Sequence, residues 1–100
     1  MSVTVVTTAE TDEQIRAIDN WWRANRPAAP DLFTEELSNC FTLLERAPRI
    51  GKAYYRHPSV SGLRRVLLRA TRYHVYYVDH PDVVVVLAVW HSHRGQLPPL

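Results

Sequence analysis

GLRRVLLRATRYHVYYVDHPDVVVVLAVWH, residues 62–91, breaks into three strand-like runs, Gly62–Ala70, Thr71–Asp79 and His80–His91. Val, Leu and Tyr dominate the runs, and these residue types suit a pleated, half-buried surface. The join around Ala70-Thr71 leaves room for a tight hairpin and nothing longer. At Asp79-His80-Pro81-Asp82 the proline presets its own φ and lacks an N–H, and the aspartates can bond the local backbone, so a turn is expected. Connections this short make neighbouring strands antiparallel. Val83–Val89 is apolar throughout, the pattern of a strand covered on both faces and therefore central in its sheet.

The residues before this meander have the means to cover it. Ser2–Thr8 alternates and is β-branched in its middle, so it reads as a strand, either at an edge or in a long-range pairing. From about Ala9 to Asn25 the spacing of Ile15, Ile18 and Trp22 puts all three on one helix face. Thr8 or Thr11 can cap that helix, and Glu10, Asp12 and Glu13 suit the positive end of its dipole. Adjacent indoles diverge by about 100° around a helix, so Trp22 is expected inward and Trp21 partly exposed, as a rim ring or as an anchor for a partner. Arg26-Pro27-Ala28-Ala29-Pro30 ends the helix. A second helix, about Asp31 to Arg46, carries an apolar stripe of Phe33, Leu37, Cys40, Phe41 and Leu44. The short link makes the two helices an antiparallel hairpin. Ala47-Pro48 closes it, and Gly51 is read as a turn residue able to take a positive φ. His57-Pro58 argues against regular structure between Lys52 and Ser61, although Ala53-Tyr54-Tyr55 can form a short strand. The tail from His93 is expected to be irregular. The fold class is α+β, β-α-α-β-β-β, with the helical hairpin on one face of a mainly antiparallel sheet and the other face open. Phe33, Phe41 and Val85 are expected in one cluster.

One hundred residues, 46% of them hydrophobic, make a single domain spanning residues 1–100. No apolar run is long enough to cross a membrane, and the N-terminus has neither the basic nor the apolar region of a secretory signal. The lone Cys40 has no internal disulfide partner and reads as a buried thiol, which with the missing signal places the chain in the cytoplasm. Residues 1–48 hold eight acids and four bases, a net of −4; residues 49–100 hold two acids and eight bases, a net of +6. All five histidines lie in the basic half. Either the sheet side meets something anionic, or the two halves neutralise each other.

Taken together, Ala47-Pro48-Arg49-Ile50-Gly51, Gly62-Leu63-Arg64-Arg65, the run Arg72 to Val78, and the last strand through Val89-Trp90-His91 to Arg94 resemble the RelE/ParE superfamily of bacterial toxins from type II toxin–antitoxin pairs. The resemblance spans nearly the whole chain. It implies that fold, no cofactor, and a cognate antitoxin that wraps the toxin and alone carries any binding to promoter DNA. RelE-like members cleave mRNA in the ribosome, and ParE-like members inhibit DNA gyrase. On the ribonuclease pattern, Arg65 falls on a basic position, Leu67 falls where a second cation is usual, and His74 falls where an arginine is usual. Arg94 matches the basic residue after the last strand, and no tyrosine lies beyond Tyr77. These departures favour the ParE-like branch.

If the chain were a ribonuclease, Arg65, His74 and Arg94 would be its catalytic candidates, with His74, His91 or His93 able to move a proton near neutral pH. For the antitoxin, the expected contacts are a helix near Trp21 and an acidic tail on Arg64, Arg65 and Arg69. Alternation puts His74 and Tyr76 on the open face if Tyr73 and Val75 face the helices. His91 and His93 are too few for a metal site without further ligands. A non-toxic module kept only for binding an antitoxin is the remaining class.

Overall fold

The computed structural model describes residues 2–55, 59–93, 98 and 100. His57-Pro58 and Arg94 therefore lie outside the described residues. The elements are β1 (Thr4–Thr7), α1 (Ala9–Asn25), α2 (Leu32–Arg46), β2 (Lys52–Ala53), β3 (Leu63–Leu67), β4 (Tyr73–Asp79) and β5 (Val83–His91). The sheet order is β1-β5-β4-β3-β2, with β1 parallel to β5 and the other pairs antiparallel. The α+β class, the helical hairpin and the interior place of the last strand are as expected. The two-residue β2 is an addition, paired so that Lys52 faces Arg65 and Ala53 faces Arg64.

Local chemistry sets the helix ends. The Thr8 hydroxyl accepts a 3.1 Å hydrogen bond from the Thr11 N–H at the start of α1. At the start of α2, the Asp31 carboxylate turns away from its own helix and accepts from Arg23 Nη2 at 2.8 Å, tying the end of α1 to the start of α2. Exposed pairs of this kind contribute little, and the hairpin is held mainly by its buried face. Phe33 and Leu44 from α2 lie with Val75, Tyr77, Val84 and Val86 from the sheet, all fully buried. Each such side chain stabilises by about 1.5–3 kcal/mol. Trp22 joins them, its indole N–H donating to Tyr73 Oη at 3.3 Å, while Trp21 stays 45% exposed. Cys40 is buried and free, and burial pushes its thiol up to about 12.

The sheet's faces follow alternation until β5 interrupts it. Tyr77 pairs with Val86 and Tyr76 with Ala88, so Leu87 is an extra residue, a β-bulge. Before the bulge Val84 and Val86 face the helices; after it Val89 does. Val85, between two inward valines, therefore points to the other surface rather than joining Phe33 and Phe41. The bulge also turns Ala88 and Trp90 to that surface.

That second surface is not open along its whole length. Tyr54, Leu63, Tyr76 and Ala88 form a smaller buried cluster there, with Val60, Leu87, Trp90 and Leu100 packed against it. The reason is local: β2 ends after two residues, and the chain then brings Tyr54 over the sheet, its ring edge-on to Tyr76 at 5.5 Å.

Two polar clamps fix the connections. The Gly51 N–H donates to Tyr77 Oη at 2.8 Å, and Arg64 donates to the Gly51 carbonyl at 2.8 Å and to Asp79 at 3.3 Å. Gly51 does not take the positive φ expected of it; Gly62 and Arg72 do. At the other end, the Glu36 carboxylate accepts from the Ala70 and Thr71 N–H groups and the Thr71 hydroxyl, at 2.8, 3.0 and 2.6 Å. It fixes the β3–β4 hairpin to α2.

Candidate functional site

Two surfaces carry the chemistry singled out in the sequence. The first is the sheet face away from the helices. Arg65 lies there, its guanidinium 4.3 Å from the Tyr54 ring centre and donating to Tyr76 Oη at 3.3 Å. Lys52 sits directly opposite Arg65 on β2. Like charges so placed repel, and the turn of Arg65 onto Tyr54 and Tyr76 relieves that. His74 is on the same face, paired across the strands with Leu67 and Trp90, its ring 5.9 Å from Tyr76. Burial, then the charges of Arg65 and Arg72, lower His74 to about 4. A ring held that low is uncharged at neutral pH and adds no positive charge for a phosphate.

The arginines grouped in the sequence do not form one patch. Arg64 points opposite to its neighbour Arg65 and is committed to Asp79 and two backbone carbonyls. Arg69 is exposed at the β3–β4 turn. His91 and His93 do come together, their rings 5.2 Å apart, and the His93 N–H donates to His91 Nδ1 at 3.2 Å. Among the described residues, no group of three or more His, Cys, Asp or Glu could hold a metal ion.

The second surface is a groove of about 770 Å³ beside the C-terminal half of α1. It forms where β1 stops at Thr7 while β5 continues to His91, so that the β1–β5 pairing ends at Val86. Gln14 of α1 partly substitutes, its side-chain oxygen accepting from the Val89 N–H at 2.9 Å. Trp21, Trp22, Arg26, His91 and His93 line the groove, with Trp90 beside them at the end of β5. The Trp21 and Trp22 rings meet edge to face at 5.7 Å, and the Arg26 guanidinium lies 5.1 and 6.0 Å from their centres. No carboxylate is among the described residues that line it.

Sequence reading placed Trp21 at a rim but missed the groove and Arg26. The signal lay in the four-residue spacing of Trp22 and Arg26, which stacks them on one side of the helix. Lys52 and Tyr54 were missed because pairing with β3 brings them to the sheet face, and that pairing is not local.

Among the described residues, no helix is long and apolar enough to cross a membrane. No curated protein matches the chain in sequence. In fold it is similar to a chain of the chromosomal ParDE toxin–antitoxin system of P. aeruginosa, with a TM-score of 0.72 at 13% identity over 90% of this chain and 96% of that one. It is also similar to a mutant of the E. coli toxin RelE in the free state, with a TM-score of 0.58 at 19% identity over 93% of this chain and 86% of that one. Residues 5–95 match the family described as the ParE toxin of the type II toxin-antitoxin system, parDE. The chain thus belongs to the ParE toxin family of type II toxin–antitoxin systems.

Proposed function

We propose that this toxin arrests growth by inhibiting DNA gyrase, and that a cognate antitoxin neutralises it. The observation that carries the choice of target is the state of the sheet face. Cutting an RNA strand needs cations converging on the phosphate and a group able to move a proton. Among the described residues on that face, Arg65 is turned onto Tyr54 and Tyr76, Leu67 is apolar, and His74 is neutral with little basicity. A toxin that acts by occupying another enzyme needs none of these groups.

For neutralisation, Arg65 and Arg69 are the cations we assign to an acidic antitoxin tail. Arg64, already bound to Asp79, has a supporting part. Complex formation that is insensitive to salt would refute the electrostatic component. Any binding to promoter DNA belongs to the antitoxin.

A gyrase supercoiling assay with purified toxin tests the target. Loss of supercoiling, restored by antitoxin, is the expected result, and normal supercoiling at saturating toxin refutes it. Message cleavage in cell-free translation that disappears with Arg65→Ala and His74→Ala would instead establish the ribosome and mRNA as the target.

A further inference from the structure

We propose that the groove beside α1 is where the antitoxin anchors: it takes a segment presenting a large apolar side chain with a carboxylate next to it. This rests on reading the chain as a toxin with a neutralising protein partner.

Three observations specify that chemistry. The Trp21 indole is 45% exposed while its neighbour Trp22 is 9% exposed, so an apolar wall runs from the core out to solvent. A large apolar side chain laid on that wall removes both surfaces from water. Next, Arg26 holds its charge over the two indoles and spends one donor on the Asn25 carbonyl, at 3.1 Å. A guanidinium has five N–H donors in a planar fork, which suits a carboxylate gripped by two of them. Arg23, one turn earlier, is engaged by Asp19 and Asp31, so Arg26 is distinguished from its neighbour. Finally, the described lining has no carboxylate, although α1 carries Glu10, Asp12, Glu13 and Asp19. The acids of the helix face elsewhere, and an incoming anion meets no repulsion inside the groove. At about 770 Å³ the groove exceeds one side chain and has room for an anchor and its neighbours. Trp and Arg are also the residue types that dominate binding energy at protein interfaces.

The test uses the toxin with the antitoxin co-purified from its own operon, and compares dissociation constants. Trp21→Ala and Arg26→Glu are each expected to weaken binding at least tenfold, with Arg26→Lys falling between Arg26→Glu and the wild type. Leu43→Ala, at an exposed position of α2 outside the groove, is expected to bind as the wild type does. Both groove positions lie at the solvent-facing end of α1, and melting curves verify that the variants fold. Wild-type affinity in both Trp21→Ala and Arg26→Glu would overturn the groove assignment while leaving the toxin reading intact. A wild-type toxin that binds no antitoxin would overturn the reading and the groove together. A second toxin copy in the groove, seen as a dimer that Trp21→Ala abolishes and antitoxin does not displace, would also overturn the assignment.

Discussion

Replacing Gly51 with alanine tests whether the connection from α2 to β2 is held by close packing. A Cβ at residue 51 would lie 2.6 Å from Tyr77 Oη, 2.8 Å from Tyr77 Cε1 and 3.0 Å from the Arg65 carbonyl. None of these atoms is the free end of a flexible side chain. The Tyr77 ring is fully buried against Phe33, Leu44 and Val75, so it cannot swing aside without opening the main core. Overpacking of this kind costs about 1–3 kcal/mol. If the loop moves out instead, the bond from the Gly51 N–H to Tyr77 Oη is lost, for about 1 kcal/mol. Either way the cost is about 1–3 kcal/mol, or a melting temperature about 5–20 °C lower for a domain of this size. Thermal and urea melts of Gly51→Ala measure it. A double-mutant cycle with Tyr77→Phe identifies the cause. The phenylalanine removes the nearest atom but leaves Cε1 in place, so the two changes should combine to less than their sum. A Gly51→Ala protein melting within about 2 °C of the wild type, or strict additivity in the cycle, would refute the close-packing argument.

Glu36→Ala removes the acceptor for Ala70 and Thr71 and should cost about 1–3 kcal/mol in a urea melt, with Glu36→Gln recovering part of it. His74 has its folded value lowered to about 4 from an ordinary 6.5, so the unfolded chain binds more protons between those values. The resulting stability is complete above pH 6.5 and lost as pH falls towards 4; the half-buried ring and solvent screening reduce it to about 1–2 kcal/mol, and His74→Gln should flatten stability against pH in that window. Cys40, buried and raised to about 12, should react with a thiol reagent such as DTNB only as fast as the protein opens, and promptly once denatured.

The parts of the fold legible in the sequence are those set by short-range chemistry. The three-and-four spacing of Phe33, Leu37, Cys40 and Leu44 sufficed for α2, and the Asp79–Asp82 turn sufficed for the β4–β5 pair. What was not legible depends on one residue or on a distant pairing. The bulge at Leu87 is invisible in an unbroken apolar run, yet it turns Trp90 to the outer sheet face. Gly51 reads as a turn glycine, and only the fold brings Tyr77 to within a methyl group of it. Arg64 and Arg65 look like one basic patch in the sequence; alternation along β3 sends one to a structural clamp and the other to the outer face. Trp21 was legible as a partly exposed ring, but its groove depends on the difference in length between β1 and β5.

The outer sheet face contains a conflict that bears on which activity this fold can support. Catalysis of phosphodiester cleavage asks for positive charge close to the phosphate and, nearby, an imidazole that titrates near neutrality. Here the charges that would serve the first purpose, Arg65 and Arg72, act with burial to defeat the second. With His74 near 4, about one ring in a thousand is protonated at pH 7, too few for a general acid, and so weak a base gains little driving force for taking a proton. A neighbouring carboxylate would restore the titration, but Asp79 is held at the far end of β4 by Arg64 and Arg49. Binding is not subject to the same conflict. Fixed cations and apolar area reinforce each other when a partner excludes water, because charge–charge attraction strengthens as the local dielectric falls. The residues described on this face therefore suit a contact surface better than a proton-transfer site, in line with the proposed action by occupancy.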